Sequence, residues 1–199
     1  YEGYIPYKSM PLSVFLREKL RKGEVKYKIP LNYTVTYHDP CHNGRHLMHE
    51  IGRDWAYEAS RDCLQSIPGL KLVEMVRNRE LQRCCGAGGG VKAGIPDLAL
   101  DMAKARVIDG EQVKADIIAS TCPFCRRNIM DGRTDAKSSI KVLDVVELMA
   151  ASMGLDMTIP ENPYTKYQEQ DVLVCGPEKC EVDTLERQAP GKDLVGEAH

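Results

Sequence analysis

The stretch Ala115-Asp-Ile-Ile-Ala-Ser-Thr-Cys122-Pro-Phe-Cys125 decides how this chain is read. The run through Ile117 and Ile118 is short and apolar, as a buried strand requires. The Cys-Pro-Phe-Cys turn ends that strand, and the residues after it read as a helix. A strand that passes through a two-cysteine turn into a helix is a βα unit with a soft-ligand pair at its carboxyl end.

Working outward, the same unit recurs. Thr34 to His38 reads as a strand that Asp39-Pro40 terminates, with Cys41 immediately beyond. A helix is expected from about Arg45 to Gln65, broken by Pro68-Gly69, and a second strand from Leu70 to Val76. A glycine run, Cys85-Gly-Ala-Gly-Gly-Gly90, precedes a helix near Pro96 to Val107 with Leu98, Met102 and Ala105 on its core face. Ile140 to Leu143 reads as a fourth strand, after which Asp144 can cap a helix running through Met153. An additional amphipathic helix, carrying Leu12, Phe15, Leu16 and Leu20 after Ser9 and Pro11, comes before the first strand. The alternation predicts an α/β fold: a layered, mostly parallel sheet with flanking helices. Sites in such sheets gather beyond the carboxyl ends of the strands. Cys41, the pair Cys84–Cys85, and Cys122 with Cys125 each follow a strand, so three sequence-distant cysteine groups are expected at one edge of the sheet.

The boundaries expected are residues 1–33 for an N-terminal helix and lead-in, 34–158 for the cysteine-bearing domain, and 159–199 for an extension. Within the extension, Glu161 to Gln170 reads as a linker, Asp171 to Val174 as a fifth strand leading into the pair Cys175 and Cys180, and the last residues as disordered. The chain begins at Tyr1 rather than Met, and is read as a processed product or a piece of a longer polypeptide.

Composition narrows the function classes. The 199 residues carry a formal net charge of −2, which provides no basic field for nucleic acid. The basic segment from Lys8 to Lys28 and the acidic one from Ile159 onward read as solvated surface. There is no run of 18 apolar residues, so no transmembrane segment is expected. Eight cysteines are many for a reducing compartment. Their grouping as a CC pair, a CxxC pair and a strand-end partner points to metal more than to disulfides.

Thiolates suit iron–sulfur clusters, zinc and Cu(I). A CxxC turn aims two sulfurs at one centre, whereas adjacent cysteines diverge and suit a wider object than one small ion. Five convergent cysteines overfill a four-coordinate zinc site. An iron–sulfur cluster on Cys41, Cys84, Cys85, Cys122 and Cys125 is therefore the leading reading, with zinc as the alternative. Gly86, Gly88 and Gly89 would let the backbone approach such a cofactor and present N–H groups to its sulfurs. Nucleotide binding is disfavoured: Val91 occupies the third glycine position of GxGxxG, and Lys92-Ala93 is not GK[ST].

His38-Asp-Pro-Cys41-His-Asn-Gly-Arg45, Cys84-Cys-Gly-Ala-Gly-Gly-Gly90 and Cys122-Pro-Phe-Cys125 together resemble the cysteine-rich CCG domain, over roughly Thr34 to Leu155. That domain occurs in heterodisulfide reductase catalytic subunits and in related electron-transfer proteins. The resemblance implies a noncubane [4Fe-4S] cluster on the same five cysteines, with an ordinary [4Fe-4S] cluster as a lesser alternative. It implies reductive cleavage of a disulfide by electrons delivered singly. It further implies partners among iron–sulfur or membrane cytochrome subunits, and a cytoplasmic location, peripheral on the membrane through those partners. This chain departs from longer family members in carrying one complete cysteine set and no CxxCxxCxxxC segment. Electrons would then come from a partner or from a part of the polypeptide upstream of Tyr1.

Other residues are candidates on their own chemistry. His38, His42, His46 and His49 crowd the first cysteine, and His42, adjacent to Cys41, is the expected proton donor to a departing thiolate. His42 with His46 also has the i, i+4 spacing of a metal pair. Arg45 is a candidate for attracting an anionic substrate, and Lys92 a weaker one. Cys63 reads as a buried inert thiol. Cys175 and Cys180 read as an inert pair, a disulfide or a dithiol relay. Two further function classes compete: a metal-free dithiol oxidoreductase at Cys122-Pro-Phe-Cys125, which resembles a glutaredoxin-type turn, and a non-catalytic electron-relay or zinc-stabilised docking module.

Overall fold

The structure, a computed structural model, describes residues 9–155, 170–175 and 179–185. Residues 161–169 of the expected linker and the expected disordered tail lie outside them, while Gln170, expected to end the linker, is the first residue of a strand.

Four strands form one all-parallel sheet in the order β2-β1-β3-β4: β1 Thr34–Tyr37, β2 Lys71–Val73, β3 Ile117–Ser120 and β4 Lys141–Asp144. The crossover from β1 to β2 runs through α3 (Arg53–Gln65), that from β2 to β3 through the short α4 (Val91–Gly94) and α5 (Pro96–Gln112), and that from β3 to β4 through α6 (Pro123–Ala136). Because parallel crossovers are right-handed, connections leaving in opposite directions put their helices on opposite faces. The packing follows. Val35, Tyr37, Ile117, Ala119 and Leu143 pack with Cys63, Leu64 and Leu148, from α3 and α7 (Val145–Ser152). Ile118 and Val142 pack on the other face with Val107, Ile129 and Met130, from α5 and α6. Strand alternation sends successive residues to these two cores.

The amino-terminal helix α1 (Leu12–Arg21) lies against α3, where Arg17 reaches the carboxylates of Asp54 and Asp62 at 2.5 and 2.6 Å. Asp144 caps α7 as expected, in a capping box with Glu147. A separate antiparallel hairpin pairs β5 (Gln170–Cys175) with β6 (Cys180–Leu185) and sets Cys175 opposite Cys180. Cys180 is disulfide-bonded. Among the described residues no helix is long and apolar enough to cross a membrane.

Three expectations are corrected. The single helix from Arg45 to Gln65 is instead a π-helical turn (His42–His46), a short α2 (Met48–Ile51) and α3. Gly52, at φ 84° and ψ 153°, makes the break, in a conformation that costs other residues strain. The second strand stops at Val73, and beyond it Glu74 turns its carboxylate to the buried Arg61 at 2.7 Å. The buried face of α5 is Ala99, Ala103, Arg106, Val107 and Gly110, not Leu98, Met102 and Ala105; Leu98 is exposed and Met102 half-buried. Small residues win there because α5 approaches α6 closely, as a Cβ on Gly132 would lie 2.7 Å from the Ala103 Cβ.

Candidate metal centre

In this strand order the chain leaves β1 toward one side and β3 toward the other, so the crevice beyond their carboxyl ends is a topological switch point. Cys41 lies four residues past Tyr37, the last residue of β1, and Cys122 two past Ser120, the last of β3. Hydrogen bonds then lace three loops together. Tyr37 Oη and Thr121 Oγ1 are 3.0 Å apart, and Asn43 Nδ2 donates to the same hydroxyl at 2.9 Å, joining the turn after Cys41 to the approach to Cys122. Arg45 donates from Nε to the Glu80 carbonyl and from Nη2 to the Gln82 carbonyl, at 3.1 and 2.8 Å. That holds the segment leading into Cys84. Asn128, fully buried on α6, donates to the carbonyls of Cys85 and Ala99 at 2.6 and 2.9 Å and accepts from Lys92 Nζ at 2.5 Å.

The sulfurs converge accordingly. Cys85 and Cys125 have their Sγ atoms 3.2 Å apart and are both buried. Cys122 is the N-cap of α6, and its sulfur accepts from the Cys125 backbone N–H at 3.5 Å. At that position the positive end of the helix dipole favours thiolate on Cys122. Sharing of one proton shapes the group: the Cys125 thiol draws Cys85 down to about 4 against the opposing effect of burial, with the His38 imidazole assisting. Cys125 likewise holds Cys122 down to about 6, and is itself pushed up. Burial raises the Cys41 thiol, and the charges of Cys84 and Cys85 raise it further. Cys84 is exposed, and its sulfur accepts from the Gly86 N–H at 3.4 Å. The sulfurs thus run from the protein interior at Cys85 and Cys125 to solvent at Cys84.

The remaining candidates sit as follows. Gly86 (φ 85°) is required as glycine by its neighbour, since a Cβ there would lie 2.7 Å from the Ala99 carbonyl oxygen. Gly88 and Gly89 face open space. His42 is exposed, and its Nδ1 lies 2.9 Å from His46 Nδ1 in an edge-on ring pair. Lys92 is paired with Asp131 at 2.6 Å. Cys63 is buried among apolar residues, which pushes its thiol up to about 12.

His38, not His42, is the histidine beside the buried sulfurs. Its imidazole, with Cys85 Sγ and Cys125 Sγ, forms a group whose ligand atoms all lie within 4.8 Å of one another. Strand periodicity was the signal for it. Val35 and Tyr37 are the apolar face of β1, so Thr36 and His38 must share the opposite one with Ile118, the partner of Thr36.

This donor set fits an iron–sulfur group. Five soft sulfurs come from three segments, the two buried ones lie 3.2 Å apart, and backbone N–H groups point at the sulfurs of Cys84 and Cys122.

Residues 35–130 match the family described as CCG, cysteine-rich domain. The chain is 49% identical over 153 residues to one of the subunits of the dihydromethanophenazine:CoB–CoM heterodisulfide reductase of Methanosarcina acetivorans, covering 77% of this chain and 36% of that protein. It is 37% identical over 149 residues to a probable iron-sulfur-binding oxidoreductase, FadF, of Bacillus subtilis (73% and 20%). It is 36% identical over 141 residues to one of the subunits of the fumarate reductase (CoM/CoB) of Methanothermobacter marburgensis (70% and 26%). The chain therefore spans about a third or less of the length of these relatives.

Proposed function

Because residues 35–130 place this chain in the cysteine-rich CCG domain family, we propose that it is the iron–sulfur redox domain of a disulfide-reducing oxidoreductase. Cys41, Cys84, Cys85, Cys122 and Cys125 would hold a noncubane [4Fe-4S] cluster. The observation that carries this reading is the contact of Cys85 with Cys125 at the switch point, with Cys122 capping the same helix and Cys41 and Cys84 on the adjoining loops. Such a cluster, when bound, supplies one-electron chemistry at a sulfur.

The protein's own residues supply the rest. Exposure of Cys84 beside buried Cys85 leaves one edge of the centre open to a substrate disulfide. His42, exposed and next to Cys41, is placed to give a proton to the leaving thiolate, and His46 orients it through their Nδ1 pair. Arg45, anchored to the 80–82 backbone, adds positive charge at the rim for an anionic substrate. Disulfide reduction is favoured because the heterodisulfide reductase relative stands at 49% identity. Electrons would come from iron–sulfur or cytochrome subunits, or from other parts of a longer polypeptide, and the assembly would lie in the cytoplasm or on that face of a membrane.

The test is anaerobic purification of the full-length protein with iron and sulfide analysis and electron paramagnetic resonance, before and after adding a disulfide. The expected result is a brown protein with about four irons at this centre and a signal that responds to disulfide. A colourless protein holding one zinc would refute the cluster, and a cluster indifferent to every disulfide would leave only electron relay. The thiol Cys122, drawn down to about 6, favours a second reading as a metal-free dithiol. Full turnover after complete removal of iron would select it.

A further inference from the structure

His38 has no role in the chemistry above, yet it is 1% exposed and held rigidly. Its N–H donates to the Ala119 carbonyl at 2.8 Å, extending the β1–β3 ladder, and its own carbonyl accepts from Ser120 Oγ at 3.3 Å. One ring nitrogen, Nδ1, has no hydrogen-bond partner although it is fully buried. The ring's ligand atom lies within 4.8 Å of Cys85 Sγ and Cys125 Sγ. A neutral imidazole carries one N–H and one lone pair. Were the proton on Nδ1, a buried donor would be orphaned. With the proton on Nε2, only an acceptor is left unpartnered at Nδ1, the cheaper defect.

We propose that the ring of His38 donates an N–H hydrogen bond to the sulfur of Cys85 and so sets the reduction potential of the centre, as a positioning residue and not as a ligand. The inference rests on the cluster reading. Each added electron raises the negative charge on the cluster and its sulfurs. A donor aimed at one sulfur therefore stabilises the reduced form more than the oxidised form and raises the potential. The role needs an N–H at that point, not a basic group, and a side-chain amide of similar reach can provide it.

The experiment is a redox titration of the full-length protein, purified anaerobically and followed by electron paramagnetic resonance, as wild type, His38→Leu and His38→Gln. Iron content is measured on each sample, and the nitrogen couplings of wild type labelled with 15N-histidine are recorded by pulsed methods. The expected result is a potential shifted to lower values in His38→Leu and largely restored in His38→Gln. Iron content and signal shape should remain those of wild type, with a weak 15N coupling of hydrogen-bond size. An unchanged potential in His38→Leu at full iron content would overturn the proposal. So would a ligand-sized coupling in wild type, which is read whether or not the leucine variant folds. If the leucine variant yields no folded protein, an absent 15N coupling in wild type overturns the proposal too. Wild type lacking iron would overturn the cluster reading itself, a distinct failure.

Discussion

Replacing Arg61 by Met removes the cation on which the end of β1 depends. Arg61 and Asp39 are each 2% exposed at the side chain and are joined by two bonds, from Nη1 and Nη2, at 2.7 and 2.9 Å. The same guanidinium holds both oxygens of Glu74 at 2.7 and 3.0 Å and the Tyr57 carbonyl at 2.7 Å. In the variant, Asp39 keeps the Arg79 backbone N–H at 2.8 Å, one donor for a buried charge. Leaving such a partner unpaired costs about 3–5 kcal/mol. For a chain of this size that corresponds to a fall in melting temperature of roughly 6–20 °C. Urea unfolding followed by circular dichroism measures the free-energy loss, and thermal unfolding the shift. Asp39 lies two residues before Cys41, so iron retention should fall as well. The double variant Arg61→Met/Asp39→Leu should recover at least half of the loss, because the penalty belongs to the orphaned carboxylate and not to the missing attraction. A single variant within about 1 kcal/mol of wild type, the scale of an exposed pair, would refute the reasoning.

Two further outcomes follow from the same geometry. Gly86→Ala should unfold the CC segment or displace α5, since its Cβ would sit 2.7 Å from the Ala99 carbonyl oxygen at φ 85°. Gly89→Ala, at φ 62° with open space around it, should cost only the left-handed penalty of about 1–2 kcal/mol; denaturant midpoints and iron content of the two variants compare them directly. Stability should also fall in acid. Arg79 holds the Glu58 carboxyl below its ordinary value of 4.5 through bonds at 2.7 and 3.0 Å, and Arg17 does the same for Asp54, ordinarily 3.8. A depressed folded-state pKa means the unfolded chain takes up the proton first. The contribution is therefore complete above the ordinary carboxylate range and lost as pH drops through the folded-state values. Unfolding free energy measured from pH 6 to pH 3 should decline, and less steeply in Arg79→Met.

The parallel sheet was legible because apolar runs, turn residues and strand-end cysteines recur in one order, and the right-handed crossover rule leaves few ways to connect them. The breaks inside helices were less legible. The run from Arg45 to Gln65 has helical periodicity on both sides of Gly52, and only the local φ of 84° separates α2 from α3. Interlocking side chains were invisible for another reason. Asn128 lies 43 and 29 residues from the two carbonyls it holds, and Arg45 lies 35 and 37 from its two, so no local pattern announces either.

The histidines beside Cys41 give the sharpest case, because adjacency in sequence and adjacency at the site diverge. His42 touches Cys41 along the chain, but the π-helical turn that starts there carries it out to solvent and onto His46. His38 is three residues from the same cysteine with Asp39 and Pro40 between them, yet the β1–β3 ladder extends through its backbone N–H. Strand alternation then fixes its ring on the α5–α6 side, where Cys85 and Cys125 lie. Solvent proximity suits a group that exchanges protons with water, and burial suits one that must hold a fixed dipole against a sulfur. On the proposed reading the two histidines would divide the work according to where the backbone sends them. An exchange of behaviour, with proton delivery lost in a His38 variant and the potential moved in a His42 variant, would show that this division is wrong.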